Sequence, residues 1–203
     1  MKTKGRMQNA ECRMQNVEKR LLPNSSFFVL HSAFCILFFG CSFFSRTKNQ
    51  IYSLDPVPGT GVAAGFSQPI GIDSVELPPG FDRKEVVVRK ANNQLDARAT
   101  QQWSATLAPL VLHTLAFDLA SRLPAGMVIL PGDARPAATR SINVVFEQIA
   151  AGPDAKVTID AVWDRTHHEH LEVPITSLDS ANIASGMSQA LSALADRMVA
   201  GLR

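Results

Sequence analysis

A chain of 203 residues, 46% hydrophobic and 19% charged, is long enough to bury one core and too apolar for a disordered polymer. Its formal net charge of +2 is unevenly placed: residues 1–41 hold six Lys/Arg against two Asp/Glu, and residues 42–203 hold fourteen against sixteen. A near-neutral body without a Lys/Arg-rich run excludes a nucleic-acid footprint, which needs clustered positive charge.

The leader is basic and then apolar. Lys2, Lys4, Arg6, Arg13, Lys19 and Arg20 precede a run from Phe27 to Cys41. That run is short of the ~20 residues a bilayer span needs and suits the core of a signal peptide. It closes on Gly40-Cys41-Ser42, which resembles a bacterial lipobox in which Cys41 is diacylated and becomes the mature N-terminus. Phe38 and Phe39 depart from that pattern, and the alternative makes Cys41 an ordinary apolar residue of an uncleaved anchor. A near repeat, Arg6-Met7-Gln8-Asn9 against Arg13-Met14-Gln15-Asn16, is consistent with a start codon assigned too early and initiation at Met14. Cys12, Cys35 and Cys41 are the only cysteines, so the body beyond Cys41 cannot form an internal disulfide. Residues 1–40 thus read as a signal peptide, 41–69 as a lipid-anchored linker and 70–203 as the domain. Within the linker, Ile51, Tyr52 and Leu54 could add an edge strand.

Ile70–Leu77 has the apolar alternation of a half-buried strand, with a phase slip at Ser74. Glu85–Arg89 carries three consecutive valines and reads as a strand buried on both faces. Between them Pro78-Pro79-Gly80-Phe81-Asp82-Arg83 forms a joint, because prolines cannot continue a sheet ladder. Asn92-Asn93 signals a turn, with Gln94–Ala97 as a short hairpin partner. A helix follows, its stripe running through Trp103, Leu107, Leu110/Val111, Thr114 and Phe117, with Thr106 as N-cap and Pro109 in the first turn.

Met127–Leu130 reads as a buried run closed by Pro131-Gly132. Ser141–Ile149 and Lys156–Trp163 alternate around Ala151-Gly152-Pro153-Asp154 and form a hairpin. His168–Ile175 is a third strand, at an edge because of Pro174. A last helix keeps period through Ile183, Met187, Leu191, Leu194, Met198 and Leu202, capped by Asp179 or Ser180. Two main helices packed on about six strands in mixed order make an α/β, mixed-sheet sandwich.

The order of strand, Leu77-Pro78-Pro79-Gly80-Phe81-Asp82-Arg83, valine strand, Asn92-Asn93-Gln94-Leu95, Trp103 and long helix resembles the ABC-type transport auxiliary lipoprotein family. That family includes the lipoprotein of the paraquat-inducible (Pqi) intermembrane transport system. The segment Tyr52-Ser53-Leu54-Asp55-Pro56 is similar to the one that follows the lipid anchor in such chains, and Trp103 to the tryptophan that opens their first helix. The resemblance runs from about Ile51 to the C-terminus. It departs at the joint, where Gly80-Phe81 and Lys84 stand in place of an aromatic-Leu pair and a proline. It implies a lipid-anchored auxiliary subunit at the periplasmic face of the envelope, at the outer membrane by Ser42 after the cysteine. The implied partners are an MCE-domain protein and the permease and ATPase of an ABC system moving lipid between membranes. It implies no cofactor and no catalysis, and allows ring-like self-assembly. An envelope lipoprotein of another machine is the alternative.

Two constellations are candidate sites. Asp82-Arg83 is either a partner contact or a local ion pair in a turn. His168 and His170, joined by Glu172 on one face of a strand, have ligand types for a metal ion but too few of them for a closed or catalytic site. The alternative is a polar strand start, and beyond it a metal-dependent enzyme is the third functional class. No G-x-S-x-G, P-loop or H-E-x-x-H occurs.

Overall fold

The computed structural model describes residues 48–202. The basic and apolar leader, the expected signal peptide, Cys41 and the first part of the expected linker lie outside them. The described chain runs β1 (Gln50–Tyr52), β2 (Ile70–Glu76), β3 (Glu85–Arg89), β4 (Leu95–Trp103), α1 (Leu107–Ala120), β5 (Val128–Ile129), β6 (Arg140–Ala151), β7 (Lys156–Trp163), β8 (His167–Pro174) and α2 (Ser180–Gly201). Eight strands form one mixed sheet, rather than about six, because short pieces pair at two of its edges: β1 with β4 and β5 with β2.

The sheet is built around β6. Its twelve residues are long enough to pair with β2 along the first half, touch β3 at Ala151, and pair with β7 from Val144 onward. The β2–β6 and β3–β6 pairs are parallel and the β6–β7–β8 meander is antiparallel. The phase slip at Ser74 is a register shift between Ile72 and Ser74, a β-bulge that moves the apolar face by one residue. The valine strand is buried on both faces, with Val86, Val87 and Val88 at most 4% exposed. Asn92 and Asn93 both take left-handed φ, at 65° and 60°, which their short polar side chains tolerate. The β6–β7 hairpin is as the alternation indicates, and β8 lies at an edge as Pro174 indicates.

Both helices pack on one face of the sheet. From α1, Leu107, Val111, Leu115 and Leu119 enter the core, and from α2, Ile183, Met187, Leu191, Leu194 and Met198. They meet Val86, Val88, Ile142, Val144, Phe146, Ile159 and Trp163 of the sheet. The Asp179 side chain caps α2 by accepting from the Asn182 amide at 2.8 Å.

The chain departs from the sequence-based expectations in three places. Trp103 does not open a helix. It ends β4, because its amide donates to the Lys84 carbonyl at 2.6 Å and the next amide, of Ser104, donates to Tyr52 at 2.8 Å. The hairpin partner is therefore nine residues long, and α1 begins at Leu107. Phe117 lies outside the core, 36% exposed and against the His113 ring at 4.5 Å, because the buried stripe is centred on Val111, Leu115 and Leu119. Residues 50–69 are not a free linker. Leu54 is 4% exposed in the main core, and the chain from there to Ala63 lies along both helices.

Gly186 sits where α2 lies tight against β7 and the end of β8. A Cβ there would lie 2.5 Å from Ile175 Cγ2 and 3.0 Å from Val157 Cγ2. Gly186→Ala should therefore destabilise the fold by roughly 1–2 kcal/mol in urea unfolding, overpacking outweighing the ~1 kcal/mol of helix propensity gained. A stabilised variant would show that α2 can move off the sheet at no cost.

Candidate functional site

The joint between β2 and β3 folds over the far face of the sheet. Val87 points away from the helices, opposite in pleat to Val86 and Val88, and forms a second small core with Ala150 and Phe81. Phe81 is 3% exposed, with half-buried Leu77 against it, so the joint covers an apolar part of the far face. Gly80 permits the reversal with φ of 88°, and Phe81 N–H donates to Pro78 at 3.2 Å.

This fold-back delivers Asp82 to the start of α1. Its Oδ1 accepts from the Ala108 amide at 3.0 Å, across 26 residues of sequence. Thr106 stands at the N-cap in extended conformation but makes no side-chain cap bond, so the carboxylate of the joint supplies that acceptor and a favourable charge at the helix N-terminus. Pro109 lies in the first turn, where its missing N–H leaves nothing unsatisfied. Arg83 points outward, and its Nε reaches Glu85 Oε2 at 3.0 Å with the Arg83 side chain 46% exposed. The carboxyl of Glu85 is held below its ordinary value by hydrogen bonding to its own backbone and by the Arg83 guanidinium.

On β8, His168, His170 and Glu172 share the exposed face as the alternation indicates, but neighbours already engage His170 and Glu172. His170 Nδ1 lies 2.5 Å from Asp160 Oδ1 on β7, and Glu172 pairs with Lys156 at 2.8 Å. Among the described residues no group of three or more His, Cys, Asp or Glu is placed to hold a metal ion. Asp160 raises the His170 imidazolium above its ordinary pKa, so these pairs form an alternating-charge ladder that fastens the edge strand. Cys41 lies outside the described residues.

A third constellation escapes the sequence reading. The segment from Leu54 to Ala63 is a strap laid between the two helices and tied down by polar bonds. Asp55 N–H donates to Ser188 Oγ at 3.0 Å, Val57 N–H to Asp118 Oδ1 at 2.7 Å, Gly59 N–H to Ser121 Oγ at 3.0 Å and Ala63 N–H to the Arg122 carbonyl at 2.8 Å. Arg122 joins all three elements. It donates to the Val57 carbonyl at 3.0 Å, to the Asp118 carbonyl at 2.8 Å, to the Ser192 carbonyl at 3.1 Å and to Asp196 Oδ1 at 2.6 Å. Gly59 lets the strap pass, since a Cβ there would lie 2.4 Å from Arg122 Cγ. Two signals in the sequence bear on this site: Asp118 and Arg122 four apart at the end of an apolar helix, and Ser188, Ser192 and Asp196 four apart in the next.

Two measurements test these assignments. Asp82→Ala should lower stability by about 1 kcal/mol, the usual cost of a lost cap, in chemical unfolding monitored by circular dichroism. Asp160→Asn should lower the titration midpoint of His170 followed by NMR, because the charge that favours the imidazolium is gone; an unchanged midpoint would break the assigned pair.

No helix among the described residues is long and apolar enough to cross a membrane. The family model described as ABC-type transport auxiliary lipoprotein component matches residues 52–199. Among solved structures, the chain is similar to an uncharacterised protein with a TM-score of 0.64 at 15% identity, covering 77% of this chain and 99% of that one. It is also similar to a protein from Xanthomonas campestris, with a TM-score of 0.53 at 14% identity, covering 74% and 92%. At these identities the likeness shows the fold alone. No curated protein matches the chain.

Proposed function

The chain belongs to the family of ABC-type transport auxiliary lipoprotein components, and from that premise we propose that it serves an ABC/MCE-type system moving lipid between membranes. In this reading it is a non-catalytic subunit anchored by a lipid on Cys41 at the periplasmic face of the outer membrane. It works beside an MCE-domain protein and the permease and ATPase of the system. The observation that carries the proposal is the Gly40-Cys41-Ser42 sequence closing an apolar run directly upstream of the matched region, residues 52–199. Ser42 at the position after the cysteine supports the outer membrane as destination.

Chain length supports a short leash. Eight residues, Ser42 to Asn49, separate Cys41 from β1. Fully extended they span at most about 30 Å. The far side of the joint, with Arg83 at its rim, is the proposed contact for a partner, since Asp82 is turned toward α1 and the Arg83 side chain remains 46% exposed.

Intact mass and membrane fractionation test the anchor, wild type beside Cys41→Ser. The expected wild-type species starts at Cys41, carries a diacylglyceryl increment and sediments with outer membranes, while the variant is unmodified and released. An unmodified, uncleaved chain in both would overturn the anchor. Retention of an MCE-domain protein by the wild type, weakened by Arg83→Glu, tests the partner; equal retention removes Arg83 from the contact.

A further inference from the structure

The strap is held over a carboxyl group that the fold leaves half satisfied. Asp118 is fully buried; Oδ1 accepts the Val57 N–H, but Oδ2 has no partner and no access to solvent. Arg122 Nη1 stands 4.0 Å from Asp118 Oδ1 and is committed to the Val57 and Asp118 carbonyls and to Ser121 Oγ. The charged groups facing Asp118 are Arg122 from the turn that follows α1 and Asp196 from α2; the strap brings only peptide groups, its one charged residue, Asp55, being exposed. A buried carboxylate with one unpartnered oxygen is costly, whereas a neutral carboxylic acid keeps the carbonyl acceptor that Val57 needs.

We infer that residues 54–63 form a pH-sensitive latch, closed while Asp118 is a neutral acid and loosened once Asp118 ionises. Closing the strap shuts water away from Asp118, so the closed state holds a proton that the open state releases. Consistent with this, burial pushes the Asp118 carboxyl from 3.8 to about 6, against the opposing pull of the Val57 amide and Arg122, with Asp196 adding to the rise. The sign follows: the raised value makes strap closure most stable below about pH 4, and that stabilisation is lost as pH climbs through about 6.

Amide hydrogen exchange on the full chain tests the latch whether or not Cys41 is lipidated, so failure of the anchor and failure of the latch are separable. Protection at Val57, Gly59 and Ala63, corrected for intrinsic base-catalysed exchange, should fall about tenfold between pH 5 and 7.5. Asp118→Asn, which keeps the acceptor for Val57, should flatten that slope. Equal slopes in wild type and variant would overturn the inference. Should the variant fail to fold, the carboxyl-carbon titration of Asp118 in the wild type decides alone: a midpoint near 6 supports the latch and one near 4 overturns it.

Discussion

Placing a guanidinium out of water between two helices is unfavourable by several kcal/mol unless nearly all of its N–H groups find acceptors. Arg122 meets that condition only because three parts of the chain converge on it. α1 provides the Asp118 carbonyl and Ser121, α2 provides Ser192 and Asp196, and the strap provides the carbonyl of Val57. Withdrawing α2 strips Nε and Nη2 of every acceptor, and withdrawing the strap takes one of the three acceptors of Nη1, so the positions of the helices and of the strap depend on one another. The hydrophobic contacts beneath them set how strongly the layers adhere. Arg122 sets where they stop sliding.

The same constraint explains why the lead-in to the domain is ordered. Pro56, Pro58, Gly59 and Gly61 give this stretch the composition of a linker, and its side chains contribute little beyond Leu54 and Ala63 to the core. Its order comes from its peptide groups, which satisfy helix side chains that would otherwise be buried and unpaired. Composition reports side chains and is silent about this use of the backbone. The joint between β2 and β3 works in the opposite way: a side chain, Phe81, seals the far face, and a second, Asp82, ties that seal to α1.

What could be read from the sequence divides along the distance over which its causes act. The bulge at Ser74, the valine strand, the Asn92-Asn93 turn, the β6–β7 hairpin and the Asp179 cap are all decided within a few residues, and each was visible as a pattern. The length of β4 was not, because Ala97–Gln102 carries little apolar alternation and is held by its neighbours β1 and β3. The capping role of Asp82 depends on a residue 26 positions away, and that of Arg122 on partners 65 to 74 positions away. The histidines of β8 were placed on the right face, but the facing strand, which supplies Asp160, decided what they do there. The fold is shared with solved structures at 14% and 15% identity, so the layer order does not depend on most of the individual residues.

The strap also fixes an order of events during folding. It leaves the ribosome before either helix, yet Asp55 must find Ser188, 133 residues later, and Val57 lies 135 residues from Ser192. Closing a loop of that length is entropically unfavourable and gains only a handful of hydrogen bonds, so it follows rather than nucleates the sheet and its helices. The first part of the domain to be synthesised is therefore the last to settle. Until the helices are in place Leu54 has no core to enter, and apolar surface left exposed in this way is what makes an incompletely folded chain prone to aggregate.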